Sequence, residues 1–274
     1  MKWLNSTSGA DLNQIFADVG GIISMYTLDS RFTDAEEGMY YTYEDDNETK
    51  FVEMNHAFAK LIGRPKTELL SLTPDIIYNP ESSKKLHQKK QRLQQKGYLY
   101  SEEQLIGHNN VKLNVEVHSS KVLGAQKEIY FHVVKEISEK KWIASQVRNK
   151  LILASGLLNG QMKITHIYNH YEPLPFTGME QDICGSSLFS FVDQNDLMKV
   201  RRCCAKAIEY RKEKQVTFQT NELYSTGAVK LRAVVKPMVN GSNEVTKIAF
   251  VLCRADNAEE LSETLPAPLL LACL

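Results

Sequence analysis

Val111-Lys112-Leu113-Asn114-Val115-Glu116-Val117 returns 118 residues later as Val229-Lys230-Leu231-Arg232-Ala233-Val234-Val235. In the first copy Leu113, Val115 and Val117 alternate with Lys112, Asn114 and Glu116, the period of a half-buried antiparallel strand. Working outward, Ile129-Tyr130-Phe131 is answered by Ile248-Ala249-Phe250 at an offset of 119. Upstream, Ile62-Gly63 is answered by Thr177-Gly178, and Asn79-Pro80-Glu81 by Gln194-Asn195-Asp196, both at 115. Loop insertions produce such a slow drift. A repeat this long is a duplicated domain and not a solenoid unit of about twenty to fifty residues.

Length alone, at 274 residues, allows one or two domains, and the repeat selects two. Each half is long enough to bury its own core. The apolar share of 43% and charged share of 24% are those of a globular protein. A formal net charge of zero argues against a chain built to bind nucleic acid, so no direct nucleic-acid binding is expected. The basic run from Lys84 to Arg92 reads as a solvated helix face. Five cysteines without a C-x-x-C pair argue against a disulfide framework and for a reducing interior, so a cytoplasmic location is expected. The start lacks the apolar core of a signal peptide, and no run approaches the ~20 apolar residues that span a bilayer. The apolar tail from Pro268 to Leu274 reads either as a docking segment or as a ragged end.

Along the chain, Ser8-x-x-Asp11 has capping-box spacing, and Leu12, Ile15, Phe16, Val19 and Ile22 follow helical spacing up to Gly20-Gly21. An amphipathic helix is therefore expected over 1–21. Its stripe of Leu12, Ile15, Phe16 and Val19 buries either against a second copy, giving a homodimer, or against its own sheet. The polar stretch Asp29 to Gly38 reads as a loop. Met39 to Tyr43 and Phe51 to Met54 read as strands, and Ala57 to Ile62 and Lys66 to Leu70 as short helices. Ser82 to Gln95 reads as a longer helix. Three strands follow at about Tyr98 to Ile106, Val111 to Leu123 and Glu128 to Lys135. Ser138 to Lys150 is charged and mildly helical. The second half repeats the pattern: a hairpin about Asn159-Gly160, a helix over Asp196 to Arg211, and three closing strands. The layout is α+β, with two domains, each a five-stranded antiparallel sheet with short helices on one face. The boundaries are 22–141 and 150–256, with a linker helix over 142–149 and a tail over 257–274.

Several stretches resemble the PAS family of sensory domains. Phe51-Val52-Glu53-Met54-Asn55-His56-Ala57-Phe58 is similar to the family's strand-to-helix step, where an Asn precedes a small residue and an aromatic. Leu61-Ile62-Gly63-Arg64 with Glu68-Leu69-Leu70 resembles its "GY-x-x-E-E-L" step. Ile76-Ile77-Tyr78-Asn79-Pro80-Glu81 resembles its entry to the long helix. Lys135 to Lys141 resembles the "D-I-T-E-R-K" exit. In the second half, Thr177-Gly178 with Ile183-Cys184-Gly185, and Leu188 to Asp196, are similar to the same loop and helix entry. The resemblance covers about Ile22 to Lys141 and Lys150 to Asp256. Pro173 and Pro175 depart from it by shortening the helix expected there.

The resemblance implies a cavity between sheet and short helices that holds haem, flavin, a metabolite or nothing, so the cofactor is left unknown. Flavin photochemistry in the family needs an N-C-R-F-L-Q-like stretch, and neither half has one; Cys184 lies in Asp182-Ile183-Cys184-Gly185. Haem needs a ligand such as a His on the long helix. His87 lies there, but its lysine-rich neighbours indicate a surface face and disfavour haem. His166-x-x-x-His170 has a zinc spacing only on a helix, and the stretch reads as a strand, so no metal site is expected. Adjacent Cys203-Cys204 read as small core or boundary residues. His132 reads either as a satisfied core His or as a polar group that contacts a ligand. The pocket is expected in the first half, lined or filled by Phe58, Leu69, Ile76, Leu93, Leu113, Val115, Tyr130 and His132.

No phosphate-binding glycine loop and no G-x-S-x-G elbow occurs, so the chain is not read as an enzyme. The expectation is a signal-sensing or regulatory protein. Its modules bind a small ligand or partner and pass the state through flanking helices to an output outside this chain, on a separate protein or a downstream domain. The alternative is a constitutive dimerisation or scaffold protein with side-chain-filled pockets.

Overall fold

The computed structural model describes residues 30–45, 48–78, 80–122, 128–147, 152–169, 183–221 and 228–255. They form two compact units: the first ends at Ser138 and also holds Asn240–Glu244, and the second holds Glu139–Val239 and the residues from Val245 on. The helix expected over 1–21, with Leu12, Ile15, Phe16 and Val19, and the tail expected over 257–274 lie outside the described residues.

The first unit opens with α1 (Ser30–Thr33), β1 (Gly38–Asp45) and β2 (Glu48–Met54). Then come α2 (His56–Ile62), α3 (Lys66–Leu69), a 3-10 turn (Pro74–Ile77) and α4 (Pro80–Lys96). It closes with β3 (Tyr98–Ile106), β4 (Lys112–Lys121) and β5 (Ile129–Glu136). The second unit holds α5 (Ser138–Val147), β6 (Ile152–Leu158) and β7 (Ile164–Asn169), then α6 (Leu197–Tyr210). It ends on β8 (Lys214–Gln219), β9 (Lys230–Val239) and β10 (Val245–Arg254). The sheet orders are β2-β1-β5-β4-β3 and β7-β6-β10-β9-β8, and all pairs are antiparallel. Each strand of one sheet has a counterpart at the same place in the other. Both units therefore have the PAS-like α+β fold.

The ladders correct one part of the repeat. Leu113, Val115 and Val117 of β4 are buried, as are Leu231, Ala233 and Val235 of β9, so the offset of 118 holds there. Val117 pairs with Val134 and Ser119 with His132, while Val235 pairs with Phe250 and Pro237 with Ile248. The structural offset between β5 and β10 is therefore 116, which matches His132 to Ile248. Aligning Ile129 with Ile248 is wrong by three residues. It sets Ile129, which packs with Phe32, Tyr41 and Val52 on one face, against Ile248, which belongs to the core on the other. An odd slip exchanges the faces of a strand. In β10 the residues from Ile248 to Cys253 are buried on both faces, so their pattern carries no phase to prevent it.

Asn55 shows how a polar residue fixes the start of the first unit. It is 2% exposed, and all four of its amide valences are used. Its Oδ1 accepts from the backbone N–H of Phe58, capping α2, and from that of Met39, each at 2.9 Å. Its Nδ2 donates to the carbonyls of Phe32 at 3.0 Å and Glu37 at 2.9 Å. One side chain thus ties α1, β1 and α2 together. Gly63 closes α2 with φ of 76°, a left-handed cap that favours glycine.

Two segments differ from expectation. The stretch expected to be a loop before Gly38 contains α1, because Phe32 is buried and stacks near Tyr41, with ring centroids 5.6 Å apart. Helix α5 is anchored to the second unit by Trp142, which packs with Ile152, Met238, Ala249, Val251 and Cys253. The Trp142 Nε1–H donates to Glu213 at 2.9 Å.

Candidate functional site

The first unit has a half-open cavity of about 260 Å³ between its sheet and the α4 side. β1 supplies Tyr40, Thr42 and Glu44, and β2 supplies Thr49. The 3-10 turn and its end supply Pro74, Asp75 and Tyr78, and α4 supplies Lys89, Lys90 and Leu93. The remaining wall is Leu99 and Glu103 of β3, Val117 and Ser119 of β4, and Tyr130 and His132 of β5. Strand residues that share this wall are two or four apart, because one face of each strand faces the helices.

His132 is the hub of the sheet wall. Its ring stacks on Tyr40, with centroids 4.5 Å apart and planes inclined at 17°. Nδ1 lies 2.8 Å from Ser119 Oγ and Nε2 lies 3.0 Å from Thr42 Oγ1. Burial lowers the imidazole pKa to about 3. The neutral ring has one donor and one acceptor nitrogen, so one hydroxyl donates to it and the other accepts from it. The hydroxyl that accepts keeps its own proton for a further bond.

Three phenols stand beside this hub. The Tyr40 and Tyr78 hydroxyls are 3.5 Å apart, and burial raises both pKa values well above the usual phenol value. The Tyr130 hydroxyl donates to Glu128 at 3.1 Å, and its pKa is raised first by burial and then by that bond. Glu128 is held below the usual carboxylate range, chiefly by hydrogen bonds from Lys121 and Gln94. The cavity therefore presents phenol O–H groups and not phenolates.

Four of the ionic groups on the wall are paired, while Asp75 lies at its exposed edge. Lys89 Nζ lies 2.7 Å from Glu103 Oε1, and Lys90 pairs with Glu44. Ser101 Oγ also donates to Glu103 Oε1, at 2.5 Å. Glu103 Oε2 is buried and has no hydrogen-bond partner among the described residues.

Of the eight residues expected at the pocket, Leu93, Tyr130 and His132 line the cavity. Phe58, Leu69, Leu113 and Val115 are buried in the adjoining core and are not on its wall. Ile76 is 46% exposed and is a correction: in the short 3-10 turn, Pro74 and Ile77 point inward and Ile76 points out. Sequence reading missed Glu103, Ser119, Tyr40, Thr42 and the two lysines. The signal for two of them was present. Glu103 falls on the inward phase of β3 with Leu99 and Leu105, and Ser119 follows Leu113, Val115 and Val117. A polar residue on the apolar phase of a strand marks a cavity wall or a buried network.

The side chain of His87 lies outside the described residues. His166 is exposed and stacks on Tyr168, and His170 is outside the described residues. Among the described residues no group of three or more His, Cys, Asp or Glu side chains is placed to hold a metal ion. No described helix is long and apolar enough to cross a membrane. In the second unit, burial raises the Cys204 pKa to about 12 and raises that of Cys203 as well, so both stay thiols. Cys203 lines a surface groove with Lys199, Arg202, Lys206, Lys214, Lys230 and Arg232.

No family model matches the chain, and no curated protein matches it. Solved structures do. A domain of the sensory box sensor histidine kinase/response regulator from Geobacter sulfurreducens is 18% identical, over 42% of this chain and 93% of that one, with a TM-score of 0.35. The PAS domain of a protein from Colwellia psychrerythraea is 11% identical, over 43% and 98%, with a TM-score of 0.37. The PAS-B domain of Drosophila melanogaster Cycle with bound ethylene glycol is 12% identical, over 37% and 98%, with a TM-score of 0.33. The PAS-like fold stated above rests on this chain's own strand order and register.

Proposed function

We propose that this chain is a sensory or regulatory protein whose first unit takes a small ligand into the cavity beside His132. The ligand shifts the population of packing states of α4 and the sheet, and the output lies outside this chain. One observation carries the reading: a cavity of about 260 Å³ walled by apolar, hydroxyl and ionic side chains. Such a mixture, mostly apolar with a few convergent polar groups, is the usual make-up of a small-molecule site. β5 carries Tyr130 and His132 and ends at Glu136, directly before α5, which gives the state a covalent route out of the cavity. A cytoplasmic, self-associating protein that pairs through Leu12, Ile15, Phe16 and Val19 belongs to the same reading. Ultracentrifugation of a chain lacking residues 1–20 tests that pairing, and an unchanged dimer would remove it.

The second unit favours the alternative role of a scaffold. Its positions equivalent to Tyr40 and His132 are Leu158 and Ile248, both in a continuous apolar core.

Native mass spectrometry of the purified chain tests the ligand. A co-purifying small molecule is expected, and it is expected to be lost from Val117→Trp, because Val117 is on the cavity wall and 2% exposed. Val115 is not on that wall, so a Trp there would not fill the cavity directly. A ligand retained by Val117→Trp would place the site elsewhere. A chain with no bound molecule that also binds none would favour the scaffold.

A further inference from the structure

We propose that a basic groove of the second unit is the docking site of this chain's own acidic stretch, Asp256-Asn257-Ala258-Glu259-Glu260-Leu261-Ser262-Glu263. Six cations line the groove: Lys199, Arg202 and Lys206 from α6, Lys214 from β8, and Lys230 and Arg232 from β9. None of the described residues that line it is acidic. Lys199, Arg202 and Lys206 are three and four residues apart, so they share one face of the helix. All three are exposed, as is Lys230. Among the described residues, Lys199 alone of the six has a carboxylate partner, Asp196 at 3.5 Å. Lys214 lies over the Tyr210 ring, and the Arg232 Nε–H donates to Cys253 Sγ. Charges of one sign gathered in a concave surface raise the local concentration of the opposite sign.

The shape of the groove suits an extended chain. β8 is the last strand of its sheet. Its residues from Lys214 to Thr217 all line the groove, and neighbours along a strand point to opposite faces, so the groove wraps the outer edge of β8. The α6 cations lie on the side where Val216 and Leu231 join the core, and Lys230 and Arg232 lie on the other face. A strand edge offers backbone groups to an extended segment. Ala255 points to the occupant. It lines the groove, and its N–H donates to the Lys230 carbonyl at 3.1 Å. The acidic stretch that follows it lies outside the described residues and carries four carboxylates and no lysine or arginine. Eight residues span up to about 27 Å when extended. β10 and β8 are two strand spacings apart, about 10 Å, so the stretch reaches the groove. The short tether gives it a high effective concentration there, which a nucleic acid or an acidic partner must overcome.

The test compares the full wild-type chain with a full chain neutralised by Asp256→Asn, Glu259→Gln, Glu260→Gln and Glu263→Gln. Fluorescein-labelled hexaglutamate is the probe, followed by anisotropy. It is expected to bind the neutralised chain at least about tenfold tighter than wild type, because the tethered stretch no longer competes. Adding Lys206→Gln and Lys230→Gln to the neutralised chain is expected to remove that gain, which locates it to the groove. Equal binding of the probe to the wild-type and neutralised chains, or no binding to either, would overturn the docking. So would a gain that survives the two lysine changes. Carbodiimide cross-linking of mixed ¹⁴N and ¹⁵N chains, mapped by mass spectrometry, checks the source of the occupant. Links from the acidic stretch to Lys199, Lys206, Lys214 or Lys230 are expected within one chain. Links that join a ¹⁴N chain to a ¹⁵N chain would assign the groove to a second copy and overturn docking within the chain. A labelled oligothymidylate that binds wild type as tightly as the neutralised chain would show the groove open to nucleic acid, and would overturn it as well. None of these outcomes bears on the cavity of the first unit.

Discussion

The two units share a strand order and differ in what stands at the centre of the sheet. In the first, Tyr40, Ser119 and His132 meet at adjacent positions of β1, β4 and β5. In the second, the same ladder positions hold Leu158, Pro237 and Ile248. The first set leaves a polar wall beside a cavity, while Leu158 and Ile248 join a core that runs through Val200, Phe218, Leu231 and Phe250. The neighbouring glycines are shared by the two units. Gly38 pairs with Val134, and a Cβ there would sit 3.1 Å from the Phe58 Cα. Gly156 pairs with Phe250, whose ring would lie 2.5 Å from an added Cβ. One duplicated frame can thus carry a responsive interior and a closed one, with a few side chains on two or three strands making the difference.

The sharpest way to break this contrast is to remove Asn55. Asn55→Ala strips a helix cap and leaves the Phe32 and Glu37 carbonyls without their buried donor, so a loss of about 3 kcal/mol or more is expected. Hydrogen exchange followed by mass spectrometry should show the loss in the first unit alone. Equal deprotection of β6 to β10 would mean that the two interiors are not independent.

Exchanging the central residues has a smaller and asymmetric effect. Ile248→His places an imidazole where Leu158 and Pro237 offer no side-chain partner, and about 2–4 kcal/mol of destabilisation is expected. His132→Ile, which frees two hydroxyls beside a cavity, is expected to cost nearer 1 kcal/mol. Urea unfolding of both variants measures the asymmetry. Equal losses would show that the polar centre is no special property of the first unit.

At neutral pH the least visible effect is a pH slope, which develops only on acidification. Folded His132 titrates near 3, against about 6.5 when unfolded, so between these values the unfolded chain holds more protons. Its contribution to stability is complete above about 6.5 and is lost as pH falls towards 3, by at most about 1.4 kcal/mol per pH unit. His132→Gln should flatten that part of the urea-midpoint profile. A profile identical to wild type would show that the imidazole is not held neutral in the folded state.

The legibility of the chain followed its periodicity. The expected strand over Tyr98 to Ile106 matches β3, whose Tyr98, Tyr100 and Glu102 face outward. The phase of β10 was not legible, because both of its faces are buried. The candidate site was legible only where an apolar or aromatic residue fell on an inward phase, as with Leu93 and Tyr130. Glu103 and Lys89 were passed over because each reads alone as a surface residue, and their burial depends on a pairing between β3 and α4 that no local pattern encodes.

Trp142 is one of only two tryptophans, the other being Trp3, and its indole is packed beneath α5 with its N–H on Glu213. It gives the second unit an intrinsic lamp, while the cavity in the first is built of weaker emitters and quenchers such as Tyr40 and His132. In a Trp3→Phe chain, light excited in the indole band reports from the second unit alone. A change in its colour or lifetime when the first unit's cavity fills would then record a message received in the second unit.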